Sequence, residues 1–307
     1  MSGKIIVGSR GSKLALIQAE FVVAKIRETN PDIEVSISQI VTKGDQNRHV
    51  QLDQMASIGV FVKELEEALL DGRIDLAVHS LKDMPAQITS GLCLAAVTER
   101  LDPRDVLVSR GERLVELTSG AKIGTGSLRR AVQLSVFRSD LEVCGIRGNV
   151  DTRLRKVANG EFGGVILAAA ALQRLGWEDR ISEYLPPKHF LPAVGQGALA
   201  IETRSDANEV ASIVAPLNHL PTWQSITAER TFLSALGGGC RAPIAALGTV
   251  SGPVLRLEGM VADVGRKIIL FHTEEGSNTA PEELGVRLAQ KLLAMGADTF
   301  LAEVGKR

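Results

Sequence analysis

The chain has 307 residues, 45% of them hydrophobic, enough for two or three domains with real cores and too apolar for a disordered or fibrous protein. A formal net charge of -1 with 4% aromatics gives no broad basic face with stacking residues, so small anions are expected as ligands and nucleic acid is not. Three cysteines, Cys93, Cys144 and Cys240, are too few for a disulfide framework, and none stands in a CxxC pair. No metal is therefore expected, and a cytoplasmic setting is.

The opening MSGKIIVGSR leads straight into a strand, so no export signal is expected, and no apolar run reaches the roughly 18 residues of a membrane span. Lys4–Val7 reads as that strand, and Ser12 caps a helix with apolar positions at Leu14, Ile17, Phe21 and Val22. Glu34–Val41 alternates as a strand, polar 43–57 reads as a long mobile loop, and Phe61–Leu70 is an amphipathic helix. Ile74–Val78 is a short buried strand ending in HSLKDMP. It delivers Lys82 and Asp83 to its C-terminal end, the edge that faces ligands in open α/β sheets. A second domain begins near Glu99–Arg104, with Val106–Val108 as a new strand, and runs to about Pro192. Gly197–Glu202 is a strand, Ala207–Leu217 a helix, and LNHLPTWQS a linker. A helix over Thr222–Ala235, strands at Ala245–Val250, Val254–Val261 and Lys267–Thr273, and a helix over Glu282–Met295 make a small antiparallel α+β unit.

Charge is concentrated between Gly124 and Lys156, which hold seven Lys or Arg against three acids. Lys122–Thr125 reads as a strand, Ser127 as an N-cap and Leu128–Phe137 as a helix, which puts Arg129 and Arg130 in a first helical turn. Cations are disfavoured there, because the helix N-terminus already carries partial positive charge and unsatisfied N–H groups. An anion would relieve both. The plan repeats downstream, where the strand Glu142–Ile146 leads through Arg147, Gly148 and Asn149 into a helix bearing Arg153 and Arg155. Two such junctions read as a pocket for carboxylates or phosphates, against the plainer alternative of a solvated basic helix face.

Asp83, beside a lysine and at a strand end, could protonate a leaving amine and then stabilise a cation as a carboxylate; it could equally be an ordinary turn aspartate. His79 reads as a satisfied core residue. Cys240 lies in LGGGCRAP, where three glycines let backbone N–H groups approach the sulfur, as an activated thiolate requires; the plainer alternative is a flexible loop with a buried thiol, which Cys93 in SGLCLAA fits better. Cys93 and Cys144 read as structural thiols.

Eight segments in order carry a resemblance. VGSRGSKLAL, FVKELEEALL, AVHSLKDMP, GTGSLRR, IRGNVDTRL, LPAVGQGALAIE, TAERTFL and GGGCRAPI are together similar to the porphobilinogen deaminase (hydroxymethylbilane synthase) family, over Ile6 to about Ile244. The resemblance implies an α/β chain of two domains like the type II periplasmic binding fold with an interdomain cleft, plus a small C-terminal α+β domain with a three-stranded antiparallel sheet. The corresponding boundaries are 1–99 with 197–217, then 100–196, then 218–307, with the strand near Gly197–Glu202 returning to the first domain. It implies a transferase that deaminates four porphobilinogen molecules, joins them head to tail on a covalent dipyrromethane primer, and releases hydroxymethylbilane by hydrolysis for tetrapyrrole biosynthesis. By matching position Cys240 is the thioether anchor and Asp83 the catalytic carboxylate, assisting ammonia loss and stabilising the azafulvene cation. Lys82, Ser80, Thr125, Ser127, Arg129, Arg130, Arg147 and Gly148 match the family's cofactor contacts. Arg10, Ser12, Arg147, Arg153, Arg174 and Gln196 match its substrate contacts. Each pyrrole brings an acetate and a propionate, which accounts for the many arginines. A monomer is implied, with no nucleic-acid or membrane partner. The family's loop before FVKEL carries lysines in a Gly-rich run, whereas this chain has none between Val50 and Val62; of the cations left in the loop, Lys43, Arg48 and His49, Arg48 is the one expected to meet substrate, the alternative being a solvated loop residue. Two other readings remain: a reversible anion-binding module with no need of Cys240, and a nucleic-acid binder with steep salt dependence.

Overall fold

Local sequence signals place most of the elements in the computed structural model, which describes residues 3–41, 62–238 and 242–304; the loop expected at 43–57, with Arg48, and Cys240 lie outside them. β1 (Lys4–Arg10) enters α1 (Lys13–Thr29), where the Ser12 hydroxyl accepts the Ala15 N–H over 3.3 Å as the N-cap. There follow β2 (Glu34–Ile40), α2 (Lys63–Leu70), β3 (Leu76–Ser80), a single 3-10 turn over Leu81–Asp83, and β4 (Leu92–Val97). The next stretch contains β5 (Asp105–Ser109), β6 (Lys122–Gly124), α3 (Leu128–Phe137), β7 (Glu142–Cys144), α4 (Val150–Ala158), β8 (Gly164–Ala168), α5 (Ala169–Leu175) and β9 (Glu183–Tyr184). Then come β10 (Leu199–Arg204), α6 (Asn208–Val214), α7 (Leu220–Ala235), β11 (Ile244–Ser251), β12 (Val254–Asp263), β13 (Ile268–Ser277), α8 (Pro281–Ala294) and α9 (Ala297–Val304).

The described residues form two compact units, one of residues up to Arg100 with Ala198–Trp223, the other of Leu101–Gly197 with residues from Gln224 onward. In the first unit the strand order is β2-β1-β3-β10-β4. β1 is parallel to β2 and β3, while β10 runs antiparallel between β3 and β4, with Ile201 opposite Val78. The strand Gly197–Glu202 therefore does return to the first sheet, shifted by two residues. One face buries Val7, Leu76, Val78, Leu199 and Ile201 against Val22 and Ile26 of α1. The other packs Ala77 and Leu92 against Leu65 and Leu69 of α2. Gly8 allows α2 to approach, since a Cβ there would collide with Ile74 and crowd Leu65.

The second unit holds a sheet of order β7-β6-β8-β5-β9, in which β6, β7 and β8 are parallel and β5 runs antiparallel to β8. Its order repeats that of the first sheet, with β5 in the place of β10. The three-stranded antiparallel sheet β11-β12-β13 belongs to this unit, and its Ala245, Leu247, Met260 and Ala262 pack with Val132 of α3 and Leu191. Two expectations change. The segment 217–225 is not a linker throughout, because α7 begins at Leu220; Pro221 lies in its first turn, where the missing N–H has no helical partner to lose. Phe21 is 47% exposed; α1 turns Gln18, Ala19, Val22, Val23 and Ile26 inward instead. Among the described residues, no helix is long and apolar enough to cross a membrane.

Candidate active site

In the first unit the edge formed by the C-terminal ends of β1 and β3 gathers Arg10, Ser12, Ser80, Lys82 and Asp83. The parallel pairing of Gly8 with Ala77 sets Arg10 level with the end of β3. Leu81 is buried and donates its N–H to the Ala198 carbonyl over 3.1 Å; buried Met84 donates to the Leu81 carbonyl over 3.1 Å. Between those two anchors Asp83 is exposed and Lys82 half-buried. The Ser80 hydroxyl exchanges hydrogen bonds with the Gln18 amide at 2.9 and 3.1 Å, and the Ser12 hydroxyl is the α1 cap, so both serines hold the edge together.

In the second unit both strand-to-helix junctions exist and are neighbours, because β6 and β7 are adjacent parallel strands with Gly124 opposite Cys144. Thr125 donates its N–H to the Cys144 carbonyl over 2.9 Å, and its hydroxyl accepts the Ser127 N–H over 3.2 Å. Ser127 caps α3 by accepting the Arg130 N–H over 3.4 Å, and Asn149 caps α4 by accepting the Thr152 N–H over 3.0 Å. Gly148 has φ +105°, and a Cβ on it would stand 2.8 Å from Thr152, so the turn that exposes Arg147 requires glycine. Arg153 donates from Nε to the Gly148 carbonyl over 2.9 Å and so reinforces the same turn.

The anion expected beside Arg129 and Arg130 is in the chain itself. Asp105, fully buried at the start of β5, accepts from Arg129 Nη1 at 2.7 Å and from Arg130 Nε and Nη2 at 3.0 and 2.7 Å. Arg129 also donates to the Leu191 carbonyl at 2.6 Å, Arg130 to the Ile166 carbonyl at 3.1 Å, and the two arginines are only 4% and 7% exposed. Gln196, 1% exposed, completes the group by donating to Asp105 at 2.8 Å and to the Pro103 carbonyl at 2.7 Å. Burial pushes the Asp105 carboxyl up, but the two guanidinium groups more than reverse this and hold it well below the usual carboxylate range. Arg129, Arg130 and Gln196 thus make a buried structural cluster rather than an open cationic face. Arg174 donates to the Gly197 carbonyl at 2.8 Å; burial pushes it down to about 10, still protonated at neutral pH.

Asp105 was not legible as a site residue. Its only signal is an acid at the head of the apolar strand VLV, and the pairing spans 24 positions to Arg129. His79 is buried at 5% exposure with Nε2 2.9 Å from Glu202 Oε2, a core histidine with an acidic partner on β10. Cys144 is half-buried on the edge strand β7, where burial and then the Glu142 carboxylate push its thiol up, which leaves it a poor nucleophile. Among the described residues no group of three His, Cys, Asp or Glu is placed to hold a metal ion.

Two mixed sheets of the same strand order, with a carboxylate presented at one edge and two adjacent strand-to-helix junctions with exposed Arg147 at another, define a duplicated α/β protein. The family model of the porphobilinogen deaminase dipyromethane cofactor binding domain matches residues 5–212, and that of the porphobilinogen deaminase C-terminal domain matches 223–294. The chain is 48% identical to the porphobilinogen deaminase of Geobacter metallireducens, over 98% of this chain and 95% of that protein. It is 47% identical to that of Brevibacillus brevis, over 98% of both, and 45% identical to that of Bacillus subtilis, over 99% of this chain and 97% of that one. The solved methionine binding protein MetQ aligns with a TM-score of 0.42 at 15% identity, over 72% of this chain and 90% of that one. The chain belongs to the porphobilinogen deaminase family, transferases of tetrapyrrole biosynthesis that use a dipyrromethane cofactor.

Proposed function

We propose that this chain deaminates four porphobilinogen molecules, condenses them head to tail on a dipyrromethane held through a thioether to Cys240, and releases hydroxymethylbilane by hydrolysis. The observation that carries the reading is the presentation of Asp83, exposed between two buried anchors at the C-terminal end of β3 and next to Lys82. When bound, the dipyrromethane supplies the terminal pyrrole carbon to which the first substrate unit is joined. Its acetate and propionate groups suit the second-unit edge in charge. There, adjacent helix N-termini and exposed Arg147 stand beside the Gly148 turn.

Asp83 donates a proton to the departing amine of porphobilinogen and, as the carboxylate, stabilises the positive charge left on the substrate pyrrole. Lys82, Arg10, Arg147 and Arg153 take the substrate and cofactor carboxylates, with Arg174 flanking. Arg129 and Arg130 act on these ligands through the Asp105 cluster, which fixes the first turn of α3, and Ser127 and Thr125 set the backbone there. On this reading the residues from 218 onward form a third domain that carries Cys240. The protein works in the cytoplasm as a monomer, without nucleic-acid or membrane partners.

The intact mass of the purified protein tests this. An increment of two covalent pyrrole units is expected, lost in Cys240→Ala while the protein stays folded. An unmodified mass for the parent, or an adduct mapped to Cys93 or Cys144, overturns the reading.

A further inference from the structure

Beneath α2, the first sheet buries three ionisable groups that the proposed chemistry does not touch. Glu66 on α2 is 8% exposed, His79 on β3 is 5% exposed, and Glu202 on β10 is fully buried. His79 lies on the α2 face of β3 with Ala77, and its Nε2 is 2.9 Å from Glu202 Oε2. Glu66 hydrogen-bonds Thr89 and lies near Glu202 and His79. Burial pushes the Glu66 carboxyl up; the Thr89 bond opposes this, and the negative Glu202 adds to it. Among the described residues, Glu66 Oε1 and Glu202 Oε1 have no hydrogen-bond partner. Burying two acidic side chains on one side of a sheet costs stability that apolar packing, of the kind Leu65, Leu69 and Ile74 provide on the same side, would not.

The cluster's placement along the chain suggests what that cost achieves. His79 stands four residues before Asp83 and Thr89 six residues after it. Both ends of the segment that presents Asp83 are therefore tied to buried carboxylates on the same side of the sheet. Hydrogen bonds fix angle as well as distance, which apolar contacts do not, so this arrangement can hold a three-residue turn in one orientation.

We propose that Glu66, Glu202 and His79 form a buried positioning cluster that clamps the Asp83 turn from both sides, so that it governs the chemical step and not the binding of porphobilinogen. The inference rests on Asp83 being the catalytic carboxylate. A displacement of a catalytic group by an ångström, with substrate contacts elsewhere intact, lowers kcat at nearly constant KM.

The test uses holoenzyme whose primer is verified by intact mass. Glu66→Ala should lower kcat about tenfold with KM within about twofold. Glu66→Gln, which can still accept from Thr89, should recover most of the loss. Thr89→Val cuts the same bond from the other end, should reproduce the effect, and keeps the test open if Glu66→Ala does not fold. Leu69→Ala, in the same core but outside the cluster, serves as a control for stability alone. A kcat loss in Leu69→Ala equal to that of Glu66→Ala overturns the proposal, as does an effect of Glu66→Ala confined to KM. A cycle with Asp83→Asn separates the two ideas, because residues acting as one unit are not additive. If the cluster acts through Asp83, adding Glu66→Ala to Asp83→Asn costs little more. If Asp83→Asn is crippled and Glu66→Ala still multiplies the loss in full, the clamp is wrong and the catalytic carboxylate stands. Near-normal kcat in Asp83→Asn alone instead overturns the role of Asp83.

Discussion

Arg130 embraces Asp105 from one side, with Nε 3.0 Å and Nη2 2.7 Å from the same carboxylate oxygen, Oδ1. That oxygen also accepts from Gln196 at 2.8 Å, and Arg129 takes the other at 2.7 Å. Two cations thus share one buried anion, and the set is stable only while the anion is present. Asp105→Asn should destabilise the protein by about 3–5 kcal/mol, because it leaves buried guanidinium groups uncompensated. Denaturant unfolding of the variant beside the parent measures it; a loss below about 1 kcal/mol would mean that water or a relaxed loop compensates.

The same carboxylate sets a pH dependence. Its folded-state pKa is depressed, so the stability it contributes is present above the unfolded aspartate value, near pH ~4, and is lost as pH falls towards the much lower folded value. Parent stability should therefore fall increasingly below about pH 4, and Asp105→Asn should lack that part of the slope. Parallel curves for the two proteins from pH 5 down to the acid limit would contradict it.

Arg138 and Arg147 should differ in what their loss affects. Arg138, near the end of α3, donates to the Leu114 carbonyl at 2.6 Å and the Leu117 carbonyl at 2.9 Å, so Arg138→Ala should cost about 1–3 kcal/mol of stability and leave KM unchanged. Exposed Arg147→Ala should cost under about 0.5 kcal/mol of stability but raise KM for porphobilinogen or weaken retention of the growing chain. A Tm series with saturation curves separates the two, and equal Tm losses would refute the assignment.

Gly148→Ala should be more damaging than its size suggests. At φ +105° an added methyl group meets both an unfavourable backbone and Thr152 at 2.8 Å, so the turn before α4 must shift. Porphobilinogen turnover should drop while far-UV circular dichroism stays near the parent's. Unchanged kinetics would show that the position of the Arg147 turn does not matter.

Asp83→Asn keeps the side-chain shape and removes the carboxylate. Turnover should fall by about a hundredfold or more with the primer still attached, in the range that general acid–base groups supply.

What was legible in the sequence was what is decided locally. The caps at Ser12 and Ser127 were visible because each acts within three residues. The doubled strand–helix junction was legible for the same reason. The fate of Arg129 and Arg130 was not, since the need for an anion shows in the sequence but its source does not; Asp105 joins them only after β5 and α3 have packed. His79 could be read as a core residue, yet its partner Glu202 is 123 positions away, so no local pattern announces the pair. The start of α7 was misread because Pro221 looks like loop punctuation, whereas at a helix N-terminus it is tolerated.

The strand β10 lies between β3 and β4, hydrogen-bonded to both, although its first residue comes about a hundred positions after the end of β4. On the ribosome, facing edges of β3 and β4 are therefore made long before the strand that joins them. At roughly 5–20 residues per second the delay is on the order of 5–20 s, during which the apolar Leu76–Val78 and Ala95–Val97 have no native neighbour on that side. The second sheet, whose strands β5 to β9 lie between Asp105 and Tyr184, has all of its partners before β10 emerges. The N-terminal sheet is thus the last of the two to close, and nascent-chain binding by holdase chaperones should be concentrated on the half of the protein that is synthesised first.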